Sequence, residues 1–546
     1  MAIRPRVRNL YYLKLAEHEH EPKNASEFKR SSMQKWLNDL PAANVGMLTR
    51  QLHDKLQLLN STNVDLQDQF EALEALQPVY STIEHFLHSK VCGQALPLPK
   101  KAQKIVALQI QISQEYATAY WYLVKNGPKK FGDRTYHKLL PILLQRLIRL
   151  LSNILITHYL VHLSEPTWIW MDIHSLFNVL PDKLCENIKI KEYRVSGEVS
   201  TTIAETYKQI IALSTADPYG MYDREILRVN HYLCEWSSAI KLEKIAPGQI
   251  PLGYFISMDN DKAPGWAGID VDMDDESVVY QIYMDDMITL AHRKAKLMKT
   301  NLGRYFVATA FPVTDNCFDP DLLKHMFRQW DGSPPRQPVK FDNALHQEVA
   351  IGLHAISKEL QNFDNEDTKS VFLADVAAGK SLKCTLDSGN QVAIGSLVGF
   401  RKLDSDRRKF GLGLVSRMLM PRPDGFTWFE LKNITNSVET VTIELTADEK
   451  KKTNKQQSNN DVIEGTKAVA LIYRKQNMKG DRDYLIVESR AFKENDTIIV
   501  HEQERSCHAL LVKQTNLGLG YVVIEYQLQE EVKQQKAIPA TGYDFL

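Results

Sequence analysis

The chain has 546 residues and a mass of 62.6 kDa, enough for three or four domains at roughly 150 residues each. With 44% hydrophobic and 25% charged residues it can build a packed core, and its 67 Lys and Arg balance 67 Asp and Glu, which excludes an overall electrostatic pull toward nucleic acid or a membrane surface. Six cysteines, at 92, 185, 234, 317, 384 and 507, include no C-x-x-C pair, which argues against a zinc site or a disulfide scaffold and fits a reducing cytoplasm.

The N-terminus, Met1-Ala-Ile-Arg-Pro-Arg-Val-Arg8, is basic but leads to Glu17-His-Glu-His-Glu21 rather than to an apolar signal core, so residues 1–24 are expected to be a flexible polar segment. From residue 25 to 241 apolar residues recur at three and four. Val45, Leu48, Leu52, Leu56 and Leu59 make one stripe; Leu66, Phe70, Leu73 and Leu76 a second; Ile105, Leu108, Ile112, Tyr116 and Tyr120 a third. Breaks at Pro97 and Pro99, Asn126-Gly-Pro128, Glu165-Pro166 and Thr215 to Gly220 divide this region into seven or eight helices, an all-helical domain. The most apolar stretch, Leu139 to Leu163, carries Arg146, Arg149, His158 and His162, charges that are expensive at mid-bilayer. It reads as a buried helix, with no membrane insertion.

Residues 242–333 mix strand-like runs, at Tyr254 to Met258, Ser277 to Tyr283 and Arg304 to Ala310, with a helical stretch from Asp319 to Trp330. Asp331-Gly-Ser-Pro-Pro-Arg336 ends that stretch and marks a domain boundary. From 334 to 446 short apolar runs come about every ten residues: 348–353, 370–374, 393–400, 411–417, 426–431 and 438–445. That pattern predicts a small closed β-barrel. A polar linker over 447–461 precedes a second β-rich region, 462–546.

Catalytic templates fail one after another. There is no phosphate loop, no G-x-G-x-x-G after a strand, no G-x-S-x-G and no H-E-x-x-H, and Gly411-Leu-Gly413 lies inside a strand pattern. The chain is therefore expected not to be an enzyme. Asp270 to Glu276 misses the calcium-loop spacing, with Asp275 where a Gly is needed and Gln281 where a bidentate Glu is needed, and Glu17 to Glu21 lacks a third ligand. Neither is expected to hold a metal, and no cofactor is implied. The basic cluster Arg401, Lys402, Arg407, Arg408 and Lys409 is interrupted by Asp404 and Asp406 and has no aromatic ladder, so it reads as a solvated hairpin tip with no nucleic-acid partner.

What remains is a pair of cations, Arg336 and Lys340, ahead of the barrel, which can grip phosphates and guanine edges. Asp375-Val-Ala-Ala-Gly379, directly after the run ending at Ala374, adds an acceptor for guanine N–H groups and a glycine for close approach. This order resembles the PilZ domain, a small β-barrel that binds cyclic di-GMP through R-x-x-x-R and [D/N]-x-S-x-x-G. Here Lys340 stands for the second Arg, Ala377 for the Ser and Lys380 for the last Gly.

Leu37-Asn-Asp-Leu-Pro41, Gln77-Pro-Val-Tyr80, Leu96-Pro-Leu98, Ser164 to Trp168 ahead of His174, and Ala212 to Tyr219 resemble a FimW-like family of proteobacterial cytoplasmic proteins, with a long helical N-terminal region ahead of a PilZ-like part. The resemblance implies an α+β multidomain receptor of cyclic di-GMP, with Arg336, Lys340, Asp375 and Gly379 at the ligand. It also implies a cytoplasmic adaptor in type IV pilus or surface-attachment control, whose helical domain contacts a protein partner. The alternatives are a helical scaffold whose barrel has lost nucleotide binding, and an enzyme hidden in residues 254–310.

Overall fold

The computed structural model describes residues 9–15, 22–195, 197–246, 248–268, 277–300, 320–331, 345–361, 372–377, 381–384, 391–402, 410–422, 427–446, 467–477, 480–488, 492–502 and 505–529. The acidic run 270–276, the Glu17 to Glu21 run, the strand-like run 304–310 and the linker 447–461 lie outside the described residues. The chain divides into two compact units, Met1–Gln94 with Leu98–Gln337, and Ala95–Pro97 with Pro338–Leu546.

The first unit begins with α1 (Arg30–Asn38), α2 (Val45–Ser61), α3 (Leu66–Val91), α4 (Lys100–Lys130), α5 (Asp133–Leu160), α6 (Ile169–Phe177) and α7 (Asp182–Asn187). A hairpin of β1 (Ile190–Arg194) and β2 (Gly197–Thr201) follows, then α8 (Ile203–Thr215) and α9 (Asp223–Trp236). α5 is the one helix among the described residues that is long and apolar enough to span a bilayer, and 83% of its apolar window is buried. Its leucines and isoleucines form the centre of a core that reaches from Leu10 to Trp330, as expected of a bundle helix apolar on all sides.

Two features of this unit differ from the sequence expectation. The β1–β2 hairpin interrupts an otherwise helical domain. And Asn126-Gly-Pro128 does not end a helix, because α4 runs on to Lys130. Pro128 has no N–H for the carbonyl of Val124, four residues back. The buried Tyr136 hydroxyl donates to that oxygen at 3.0 Å instead. Gly127 makes room for the donor, since a Cβ there would stand 2.6 Å from the Tyr136 ring.

Residues 242–333 contribute a four-stranded sheet to this unit, with β3 (Lys241–Lys244), β4 (Tyr254–Ser257), β5 (Gly265–Trp266) and β6 (Val279–Tyr283) in the order β3-β6-β4-β5. α10 (Asp285–Thr300) and α11 (Pro320–Trp330) complete it. Trp330 is buried in the same core, its indole N–H directed at Ala212 O (3.3 Å) and Thr215 Oγ1 (3.2 Å).

The second unit opens with β7 (Leu345–Ile351), α12 (Leu353–Gln361), β8 (Phe372–Ala377), β9 (Ser381–Cys384), β10 (Leu397–Lys402), β11 (Phe410–Leu419) and β12 (Thr427–Leu445). It continues with β13 (Lys467–Asn477), β14 (Gly480–Val487), β15 (Thr497–Glu502), β16 (Arg505–Gly518) and β17 (Tyr521–Leu528). α12 was not legible in the sequence, and the runs at 426–431 and 438–445 are one strand of 19 residues. β12 is shared. Its first half pairs with β9 and β11, its second with β13 and β15. The pairings β11-β10-β7-β8-β9-β12 therefore return to β11, and β12-β13-β14-β17-β16-β15 return to β12.

Alternation explains why β13, β14 and β17 read as unbroken apolar runs. Ala470, Leu485, Val487, Val522 and Ile524 pack in one core, whereas Leu471, Ile486 and Val523 pack with α12, β10 and β11 in another. Both faces of these strands are covered, so neither face needs polar residues.

Candidate functional site

Of the four sequence-predicted ligand residues, Asp375 lies within the described residues, in the second unit. β7 begins at Leu345, which stands opposite Val376 near the end of β8, and β8 passes to β9 through residues 378–380. Arg336, Lys340 and Gly379 lie outside the described residues. Asp375 is placed within β8 rather than after it, opposite His346 on β7 and Lys383 on β9. β8 runs two residues past Asp375 because β9 pairs with its last residues.

Arg401, expected in a solvated hairpin tip, is buried. It lies opposite Glu348 in the β10–β7 ladder, with Nε 2.6 Å from Oε2, and its guanidinium sits 4.5 Å over the Phe410 ring. Glu359 of α12 stands 3.7 Å from the same group. Arg417, half-buried, pairs across β11–β12 with Glu430 at 3.8 Å. Both cations serve structure within the sheet.

A second polar site, not recognised in the sequence, lies in the first unit. α3, α5, α9 and the β1–β2 hairpin surround a cavity of about 150 Å³ lined by Tyr80, Glu84, Arg149, Asn153, Glu192 and Arg194, among others. Glu192 is 5% exposed and accepts from two guanidiniums: Arg149 Nε at 2.5 Å on Oε1, and Arg194 Nη2 and Nε at 2.6 and 2.9 Å on Oε2. Gln145 adds a bond to Oε1 at 3.1 Å. Burial pushes the Glu192 carboxyl up, but Arg149 and Arg194 outweigh it and hold it at about 2. Arg146 is engaged separately by Glu74, Nε at 3.1 Å and Nη2 at 2.9 Å.

Glu84 behaves in the opposite way. Burial raises its carboxyl to about 7, against a partial offset from Arg149. The arginines were visible in the sequence as charges on an apolar helix, but their partners lie 43 and 72 residues away. Nothing in local spacing connects them.

His174 is a satisfied core histidine, with Nδ1 2.7 Å from Tyr207 Oη and Nε2 3.0 Å from Lys262 O. Beside it Asp172 accepts the backbone N–H groups of Tyr11, Tyr12 and Leu13 at 2.7, 2.8 and 3.2 Å, which fastens the N-terminal segment to α6.

Residues 31–247 match the family model described as "Cyclic-di-GMP receptor FimW, N-terminal domain". Over 217 residues the chain is 24% identical to the Cyclic-di-GMP receptor FimW of Pseudomonas aeruginosa, covering 39% of this chain and 35% of that protein. That alignment spans about a third of the length of the curated relative, and the family model falls on the helical unit. The resemblance to the FimW-like family is borne out there. No solved structure matches the chain.

Proposed function

We propose, from a chain whose residues 31–247 form a FimW-type N-terminal domain, that this protein is a cyclic-di-GMP-binding signalling adaptor. The match of the helical unit to that family is the observation that carries the reading. In it, the strand circuit from β7 to β12 is the PilZ-like barrel, and the nucleotide sits where β7 begins and β8 ends. Arg336 and Lys340 neutralise its phosphates, Asp375 accepts from a guanine, and Gly379 admits the ligand to the backbone. Lys340 supplies charge without a planar fork, so affinity is lower than two arginines would give. The protein acts in the cytoplasm without covalent chemistry: the nucleotide favours one state of the chain, and a partner of the helical domain in type IV pilus or surface-attachment control responds.

Isothermal titration with cyclic di-GMP tests this reading, with GTP as a specificity control. Saturable binding that the Arg336→Ala, Lys340→Ala double variant abolishes is expected. No heat at about 100 μM ligand in folded protein would sink it.

One alternative is favoured by a specific observation. The family match ends at residue 247, before any strand of the second unit, and Lys340, Ala377 and Lys380 depart from the PilZ pattern. A scaffold with a non-binding barrel is the outcome if the titration is silent.

A further inference from the structure

The charges around the cavity beneath the β1–β2 hairpin do not close. Three guanidiniums, Arg146, Arg149 and Arg194, face two carboxylates that bond them, Glu74 and Glu192. Glu74 is taken by Arg146, and both oxygens of Glu192 are occupied by Arg149, Arg194 and Gln145. A guanidinium has five N–H donors. Arg149 spends three, two on Glu192 and one on Gln209 Oε1 at 3.0 Å. Arg194 spends two on Glu192. At least two donors therefore remain on each, at a site where one carboxylate serves two cations. Glu84, which could supply the balancing charge, makes no hydrogen bond or ion pair to another described residue.

We propose that this cavity binds a small organic monocarboxylate, held by the spare donors of Arg149 and Arg194, with a proton taken up by Glu84. An anion beside an ionised Glu84 would place one negative charge too many in the cavity. With Glu84 protonated, the surplus cation and the ligand cancel, and the neutral carboxyl becomes a donor to the bound anion. One negative charge fits this ledger where a phosphate dianion overshoots it, and the guanidinium forks match a carboxylate. Val195 and Leu227 also line the cavity, and these apolar groups suit the hydrocarbon part of an organic acid.

The remaining titratable groups around Glu84 stay out of the ledger. His85 and His88 on α3 and His231 on α9 are all held below their usual range by burial, His88 at about 4, so they are neutral near pH 7. The Tyr80 phenol and the Cys234 thiol are pushed up, mainly by burial, and stay protonated. Glu84 is thus the group that changes charge near neutrality, and burial is what places its transition at about 7.

The test is calorimetry of the full chain with butyrate and with benzoate, at pH about 6 and about 8, in two buffers of different ionisation enthalpy. The expected result is saturable binding at pH about 6 that weakens about tenfold per pH unit above 7, with about one proton taken up at pH about 8. Glu84→Gln, which mimics the protonated form, should bind at both pH values with the low-pH affinity and no proton uptake. Arg194→Gln, checked for native circular dichroism, should bind at least tenfold more weakly. Phosphate at the same concentrations should compete poorly. The proposal is overturned by no saturable heat from either acid at pH about 6, by Glu84→Gln retaining the wild-type pH dependence, or by Arg194→Gln binding undiminished. Because these residues lie in the first unit, failure here leaves the cyclic-di-GMP titration unaffected.

Discussion

Arg401 stands directly opposite Glu348 across the β10–β7 ladder, its Nε 2.6 Å from the carboxylate and its guanidinium carbon 4.5 Å from the centroid of the Phe410 ring. A cation 6% exposed in a sheet interior persists only because it is paired. Removing one partner leaves the other charge buried. Arg401→Ala is therefore expected to destabilise the sheet unit by about 3–5 kcal/mol, while Glu348→Gln, which keeps an acceptor, costs less. Hydrogen exchange of β7 and β10 peptides reads this locally. Unchanged protection in Arg401→Ala would show that the pair contributes nothing.

Tyr136 and Gly127 let α4 pass through a proline. Tyr136→Phe leaves the Val124 carbonyl without its donor and is expected to cost about 1–3 kcal/mol. Gly127→Ala should cost at least as much, because its Cβ would meet the Tyr136 ring at 2.6 Å and force the ring away from that carbonyl. Thermal melts of the two variants and of the double variant check the coupling. The double variant should lose less than the sum, and strict additivity would separate the two residues.

The cavity in the first unit sets two carboxyls to opposite pH responses. Glu192 is depressed in the folded state, to about 2 from 4.5, so its stabilisation is present above about 4.5 and is lost as pH falls toward 2. At about 1.4 kcal/mol per unit this amounts to roughly 3 kcal/mol. Acid unfolding of the wild type followed by hydrogen exchange in α5 should show that loss, and Glu192→Gln should lack it while being less stable at pH 7. Equal slopes for the two proteins would contradict the assignment.

Glu84 has the reverse sign. Its folded carboxyl titrates at about 7 against 4.5 unfolded, so the stability it contributes is complete below about 4.5 and disappears as pH rises through 7. Glu84→Gln is expected to melt higher than wild type at pH 8, by up to about 3 kcal/mol of stability, and to match it at pH about 4. A variant that melts lower at pH 8 would mean that the ionised carboxylate is paired.

In the second unit, Asp375→Ala tests the strand-end reading on a residue whose place in β8 is described. Loss of an acceptor for a guanine N–H is expected to weaken cyclic-di-GMP binding by about tenfold or more, while the melting temperature changes little. Equal affinity in the variant would move the ligand away from this end of the ladder.

Periodicity alone determined a great deal here. The stripes through Leu48, Leu52 and Leu56 and through Ile112, Tyr116 and Tyr120 became α2 and α4, and the apolar run with Arg146 and Arg149 became a buried helix, because a face that must be buried repeats every three or four residues in the chain itself. The strand runs between 348 and 527 were legible for the same reason at period two or as unbroken apolar segments. What the sequence could not carry was pairing at a distance. That a tyrosine eight residues past Pro128 would satisfy the carbonyl the proline abandons, that Arg149 would meet Glu192, that Arg401 would be sheathed by Glu348 and Phe410, and that one strand would serve two circuits are all decided by which surfaces meet on folding. A charge looks the same in a sequence whether it is solvated or buried, and only its tertiary neighbours settle whether it is a surface residue, a structural pair or a site.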